Sequence, residues 1–71
     1  MLTEDELYLY AASRGWLASV EVIHADEYVR GVFLTKGSTE HFWGSLGAVR
    51  RLTPEQVFVY LEWLDEERAC C

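Results

Sequence analysis

The side chains that most often perform chemistry are few in this sequence, which has two histidines and two cysteines. A metal site would have to combine His24 and His41 with Cys70, Cys71 or acidic residues. Their spacing matches no compact zinc pattern, in which ligands pair a few residues apart. We therefore expect no metal site. We interpret the adjacent cysteines as free thiols, with a strained disulfide between them as the alternative.

Catalytic motifs are equally scarce. None of the serines lies in a nucleophile-elbow sequence, and the chain has no glycine-rich phosphate loop. Glu40 and His41 could act as an acid–base pair, although any two adjacent polar residues could be described in that way. A chain of this length also has little room for a pocket that buries a substrate. We expect a non-enzymatic protein without a cofactor.

Length and composition predict one domain that spans residues 1–71. The 71 residues are 51% hydrophobic and 14% aromatic, and each buried aromatic ring removes a large area from water. A chain this short removes only roughly 60% of its unfolded surface from water. Aromatic rings therefore have to supply much of a core that is held together without disulfides.

The net charge of −6 arises from 12 acidic residues against six Lys and Arg. Nucleic acids and acidic lipids require a basic surface that displaces counterions, so neither is expected as a direct partner, and a basic protein surface is favoured. Residues 1–6 lack the basic and apolar regions of a secretory signal. No apolar stretch approaches the length of a membrane span, and we expect a cytoplasmic protein.

Two segments begin with the same helix-start signal. Thr3 and Glu6 have the spacing of a capping box, and Thr53 and Gln56 repeat it. Apolar residues flank each cap as a hydrophobic staple, and Gly15 suits the left-handed position that ends a helix. The predicted helices are Glu4–Arg14 and Pro54–Arg68.

Between the helices, the side chains alternate with the period of two that is typical of strands. Short loops make the sheet an antiparallel meander, with Gly44 at a bulge. Each helix has one apolar stripe, so both helices are expected to pack on one face of the sheet in an α+β fold of order α-β-β-β-α. The predicted strands are Leu17–His24, Tyr28–Thr35 and Glu40–Leu46, the turns are Ala25–Glu27 and Lys36–Thr39, and the last connection is Gly47–Arg51.

This order of elements resembles that of double-stranded-RNA-binding domains. Those domains place a lysine cluster at the start of the last helix, where phosphates bridge a groove. Here the segment Thr53–Val59 contains no Lys or Arg, and the only basic pair, Arg50 and Arg51, precedes it. The resemblance covers the order of elements and none of the RNA-contacting residues. A generic two-layer fold is the simpler interpretation, and RNA binding through the basic pair is a third-ranked hypothesis.

The excess negative charge lies in the predicted helices. Residues 1–13 carry −3, residues 14–54 carry +1 and residues 55–71 carry −4. The acids of the first helix lie at its N-terminus, where the macrodipole stabilises them, whereas those of the last helix crowd its C-terminal end, where each exposed charge costs on the order of 0.3–1 kcal/mol. The acids concerned are Glu62, Asp65, Glu66 and Glu67.

Two interpretations of these acids stay open. They form either a solvated face that the chain's own arginines neutralise in part, or a patch framed by Tyr60 and Trp63 that meets a basic partner. Phe42 and Trp43 are a second candidate surface, because neighbouring strand residues point to opposite faces of a sheet. One of these two rings should lie on the face that the helices leave open, where an apolar surface is typical of an interface.

The first function hypothesis is a non-enzymatic protein-binding module. In its sharper form it is an inhibitor that occupies a basic, often nucleic-acid-binding, surface of a larger protein. Small acidic phage-encoded inhibitors, including anti-CRISPR proteins, are similar in size, charge and lack of catalytic motif. The alternative is a structural or regulatory subunit that homodimerises through its open sheet face or last helix. The predicted partner-binding residues are Phe42, Trp43, Tyr60, Glu62, Trp63, Asp65, Glu66 and Glu67.

Overall fold

A helix, three strands and two further helices follow one another in a computed structural model, which describes residues 1–69 and the side chains of residues 1–67. The predicted α+β class and α-β-β-β-α order are confirmed. The interpretation of Cys70 and Cys71 lies outside the described residues. The elements are α1 (Glu4–Ser13), β1 (Leu17–His24), β2 (Val29–Lys36), β3 (Thr39–Ser45), α2 (Leu46–Val49) and α3 (Pro54–Ala69).

The strands form the predicted antiparallel meander, in the order β1-β2-β3. The turn between β1 and β2 extends to Tyr28, whose φ of 53° is left-handed, so β2 begins one residue later than predicted. Only Gly37 and Ser38 join β2 to β3, because Lys36 and Thr39 already pair. Gly37 has a φ of 61° at the first central position, where a type II′ hairpin turn needs a positive φ.

The predicted bulge lies in β3. Val32 pairs with Gly44 and Phe33 pairs with Phe42, so Trp43 is the extra residue on the bulged strand. A bulge bends its strand and re-aims the neighbouring side chains. The rings of Phe42 and Trp43 lie on opposite faces of the sheet, as neighbouring strand residues do.

Both predicted capping boxes are formed. Glu6 N donates to Thr3 Oγ1 at 3.1 Å, and Thr3 N donates to Glu6 Oε1 at 3.1 Å. The second box repeats the pattern, with Gln56 N to Thr53 Oγ1 at 3.2 Å and Thr53 N to Gln56 Oε1 at 2.9 Å. Gly15 follows α1 with a φ of 79°, as a left-handed helix end requires.

The connection Gly47–Arg51, expected to be irregular, contains most of the single turn α2. Ser45 caps this turn, and Leu46, predicted as the last residue of the third strand, begins it and is buried. The turn also brings Arg50 against the N-terminal segment. Leu2 N donates to Arg50 O at 2.9 Å, and Arg50 Nε donates to Leu2 O at 2.7 Å.

The core lies between the long helices and one face of the sheet. Val32 and Leu34, two residues apart on β2 and therefore on one face, are 0% exposed and cluster with residues of α1 and α3. Packing of both helices on a single face, as predicted, leaves the opposite face uncovered at Phe42, which is 49% exposed. The buried cluster is Leu2, Leu7, Ala11, Trp16, Val32, Leu34, Leu46, Val49, Val57, Leu61 and Leu64.

Candidate functional site

Tyr60 connects α3 to the edge strand β3. Its hydroxyl forms a short hydrogen bond with His41 Nε2, and its ring stacks on Trp43 with centroids 5.1 Å apart and planes 3° apart. Trp63 follows nearly one helical turn later, with its ring centroid 6.0 Å from that of Tyr60. We call these four residues the aromatic cluster. The structure thus brings together three of the residues that the sequence predicted as partner-binding.

Within the aromatic cluster, the hydroxyl of Tyr60 is held in its neutral form. Burial raises the pKa of Tyr60 above its ordinary value, because desolvation penalises the phenolate. A general acid or base works best with a pKa near the working pH, and this shift moves the hydroxyl away from it. Glu40 is exposed and lies on the opposite sheet face from its neighbour His41, so the acid–base pair considered from the sequence is not brought together.

A shallow groove runs along α3 beside the cluster. Its lining consists of Glu55, Gln56, Val59, Tyr60 and Trp63, and we call it the α3 groove. Val59 is 65% exposed and Trp63 is 49% exposed. Glu55, Val59 and Trp63 follow one another at four-residue intervals, which places them on one stripe of the helix. The groove therefore combines an exposed apolar floor with a carboxylate at one end.

Two of the four acids near the end of α3 form ion pairs with other elements of the fold. Glu62 Oε1 lies 3.9 Å from Arg14 Nη2, and Asp65 Oδ1 lies 2.6 Å from Lys36 Nζ. Glu62 therefore lies toward the end of α1, and Asp65 lies toward the β2–β3 hairpin. Glu66 is exposed and has no ion-pair partner among the described side chains. Glu62 and Asp65 are thus paired within the chain, one with an arginine as the first interpretation expected and the other with a lysine.

The two paired cations also lie over aromatic rings. Arg14 Cζ is 4.9 Å from the ring centroid of Phe58, and Lys36 Nζ is 5.1 Å from that of Trp16. Cations are attracted to the negative face of an aromatic ring. Neither arrangement was predicted from the sequence. The four-residue spacing of Phe58 and Glu62 was the one signal that could have indicated the first of them.

Phe42 belongs to a different surface. It pairs with Phe33 on the open sheet face, with ring centroids 5.1 Å apart. Gly31 makes room for this ring, because a Cβ there would lie 2.8 Å from Phe42 Cε1 and 3.0 Å from Ile23 Cγ2. Leu17, 71% exposed at one end of β1, adds apolar area. As predicted, the neighbours at positions 42 and 43 face opposite sides.

Metal and membrane sites receive no support from the described residues. Within residues 1–69, no three His, Cys, Asp or Glu side chains are placed to share a metal ion. His24 pairs with Val29 and His41 pairs with Leu34, so the two histidines lie toward opposite ends of the sheet. None of the helices in this part of the chain combines the length and apolar character needed to cross a bilayer.

Comparison with known proteins gives no match among family models, curated proteins or solved structures. Among the side chains of residues 1–67, large apolar ones lie exposed next to other rings in the α3 groove and on the open sheet face.

Proposed function

We propose that this protein is a non-enzymatic protein-binding module that docks a basic partner surface in the α3 groove. The observation that carries the proposal is the exposure of Val59 and Trp63 beside the ordered ring of Tyr60. Tryptophan and tyrosine dominate the energetic centres of protein interfaces. A half-exposed Trp63 contributes little to the core, so its area is available to a partner.

The groove is also partly preorganised. Tyr60, which forms one wall, is held by its hydrogen bond to His41 and by its stack on Trp43. A side chain that is already fixed loses little rotamer entropy on binding, and this loss is one of the main costs of association. The fixed wall therefore supports docking without a rearrangement of α3 or β3.

Charge favours a basic partner over a neutral one. The chain carries a net charge of −6, and the groove is lined by Glu55. Because Glu62 and Asp65 are engaged internally, the contribution of the acids is long-range steering and a carboxylate rim. Apolar contact in the groove supplies the affinity.

In its sharper form, the proposal is an inhibitor. Nucleic-acid-binding surfaces are basic because they must neutralise phosphates. A small acidic domain that docks on such a surface would exclude the nucleic acid by occupying its site. This form rests on the charge of the whole chain, and it predicts competition between this protein and nucleic acid for the partner.

The binding experiment compares three chains against a purified basic protein that the wild type captures. Val59→Ser/Trp63→Ala removes the groove floor, and Leu9→Ser is the matched control, since Leu9 is an exposed apolar residue on α1. We expect the control to bind like the wild type and the groove variant to lose at least about tenfold in affinity. Equal binding by all three chains would refute the proposal.

Competition with nucleic acid tests the inhibitor form separately. The partner's own nucleic acid should be displaced as the wild-type chain is added, and the groove variant should displace it poorly. A ternary complex of chain, partner and nucleic acid would leave the binding module intact and rule out inhibition by site occupation.

A second candidate function is a homodimeric structural or regulatory subunit. It is favoured by the Phe33–Phe42 pair, whose outer ring is half exposed on the open sheet face. Sedimentation of the wild type and of Phe42→Ser from micromolar to millimolar concentration tests it. A dimer that the substitution dissociates supports this function, and a strict monomer at the highest concentration dismisses it.

A further inference from the structure

We infer that the α3 groove holds one arginine side chain of its partner, stacked on the ring of Trp63 and paired with the carboxylate of Glu55. This inference rests on the proposed function and names what the groove recognises. It follows from an arrangement that the molecule already uses twice for its own cations.

The first internal example is Arg14. Its guanidinium lies over the ring of Phe58 at 4.9 Å and reaches Glu62 at 3.9 Å. Phe58 and Glu62 are four residues apart on α3, so the ring and the carboxylate lie on one stripe and meet the same cation. A ring followed by an acid on this helix is therefore a working cation site.

The second internal example is Lys36. Its ammonium lies 5.1 Å from the ring centroid of Trp16 and 2.6 Å from Asp65 Oδ1. The ring comes from a different part of the chain in this case, but the carboxylate again comes from α3. A combination of aromatic ring and α3 carboxylate thus accompanies a cation at two separate places.

The α3 groove repeats the combination, and no basic side chain is among its described lining residues. Trp63 presents a half-exposed ring, and Glu55 lines the groove with it. Among the described basic side chains, four are engaged elsewhere. These are Arg14 with Glu62, Arg30 with Glu4, Lys36 with Asp65, and Arg50 with Leu2.

Arginine fits the groove better than lysine does. A guanidinium is planar, stacks on an indole ring and can donate two parallel hydrogen bonds to a carboxylate, whereas an ammonium is a compact point charge. Val59 and Tyr60 offer an apolar surface along which the aliphatic part of the arginine side chain can lie. This site also explains why apolar and acidic residues share one groove.

The test is an NMR titration of the full chain with N-acetyl-arginine amide at low ionic strength. The matched probe is N-acetyl-citrulline amide, which has nearly the same shape and no charge. We expect arginine to shift the Trp63 indole and Val59 methyl signals saturably, with citrulline binding at least about tenfold more weakly. Trp63→Leu, which keeps apolar area without the indole, should abolish the shift of the Val59 methyl signals, and Glu55→Gln should abolish the shifts of both the Trp63 and the Val59 signals.

Equal shifts with citrulline, or arginine shifts that persist in Trp63→Leu, would overturn the inference. Unchanged methyl signals of the buried Leu64 verify that each variant is folded. If a basic protein binds in a groove-dependent manner while arginine fails this titration, the arginine site is wrong and the docking surface stands. If arginine binds but no basic protein does, the proposed function fails instead.

Discussion

Tyr60 determines how α3 meets β3, because its hydroxyl contacts His41 and its ring contacts Trp43. Tyr60→Phe keeps the stack and removes the hydrogen bond, so the free energy of unfolding should fall by about 1 kcal/mol. Urea denaturation measures this change. The matched control is Tyr8→Phe, at a half-exposed position on α1. An equal loss in both variants would contradict the role assigned to the hydrogen bond.

The same hydroxyl has a predicted effect at alkaline pH. Burial raises the pKa of Tyr60 above 10.0, so the folded chain holds this proton more tightly than the unfolded chain does. The stabilisation of the fold that comes from this raised pKa is fully present below pH 10.0. It is lost as the pH rises through the pKa of Tyr60 in the folded chain. Wild type should therefore lose more stability above this pH than Tyr60→Phe, in denaturation curves recorded across the range.

Glu6 has the opposite dependence. The Thr3 backbone N–H, which donates to the Glu6 carboxylate, and secondarily the Thr3 side chain lower the pKa of Glu6 below 4.5. The stabilisation of the fold that comes from this lowered pKa is present above pH 4.5, and it is lost as the pH falls through the pKa of Glu6 in the folded chain. Glu6→Gln keeps a capping-box side chain but cannot titrate. Its unfolding free energy should depend less on pH in this range, and identical profiles for both chains would refute the assignment.

Tyr28 occupies a left-handed conformation, with a φ of 53°, at the end of the β1–β2 turn. Such a conformation costs roughly 1–2 kcal/mol for most residues and less for asparagine. The side chain is exposed, so Tyr28→Asn sacrifices little packing. We expect its thermal midpoint to rise, and a lower midpoint would show that the tyrosine ring stabilises the turn by another route.

Among the elements, α3 is a helix with one buried side and one exposed side. Leu61 is 0% exposed, whereas Val59 lines the groove and is 65% exposed. Leu61→Ala should therefore cost roughly 2–5 kcal/mol of unfolding free energy, and Val59→Ala should change it by less than about 0.5 kcal/mol. Guanidinium denaturation of the two variants tests the orientation of α3. Comparable losses would mean that the groove residues belong to the core.

Local signals made the elements predictable. The capping boxes at Thr3 and Thr53 depend on residues three apart, and strand alternation depends on residues two apart, so both are visible in the sequence. Trp16 was given no role, although a hydrophobic residue just after a helix-ending glycine commonly packs back on that helix. Its amide donates to Ala11 O at 2.9 Å, and the ring fills the core.

Contacts between distant segments were not predictable in the same way. Lys36 and Asp65 are 29 residues apart, and nothing local indicates that the hairpin and the end of α3 meet. The single turn α2 was not predicted for a related reason, because four residues are too few to show a helical period. The prediction of an acidic patch assumed that residues adjacent in sequence lie on one surface. Adjacent side chains on a helix, such as those of Glu62 and Trp63, instead point about 100° apart around the helix axis.

At the scale of the whole molecule, the fold is two layers thick. The principal extents are 38 × 24 × 15 Å, and the shortest of them accommodates one sheet and one layer of helices. Within the described part of the chain, large apolar side chains are exposed on the open sheet face around Phe42 and in the α3 groove on the helix side. They lie on different sides of the molecule, so a footprint of the bound partner separates them.

An NMR footprint of the bound partner is therefore the most direct test of docking in the α3 groove. Isotope-labelled chain is mixed with the purified basic partner, and backbone signals are compared with those of the free chain. The docking proposal predicts the largest changes at Val59, Tyr60 and Trp63, with Leu17 and Phe42 unaffected. Changes confined to the open sheet face, with the α3 groove unperturbed, would contradict it.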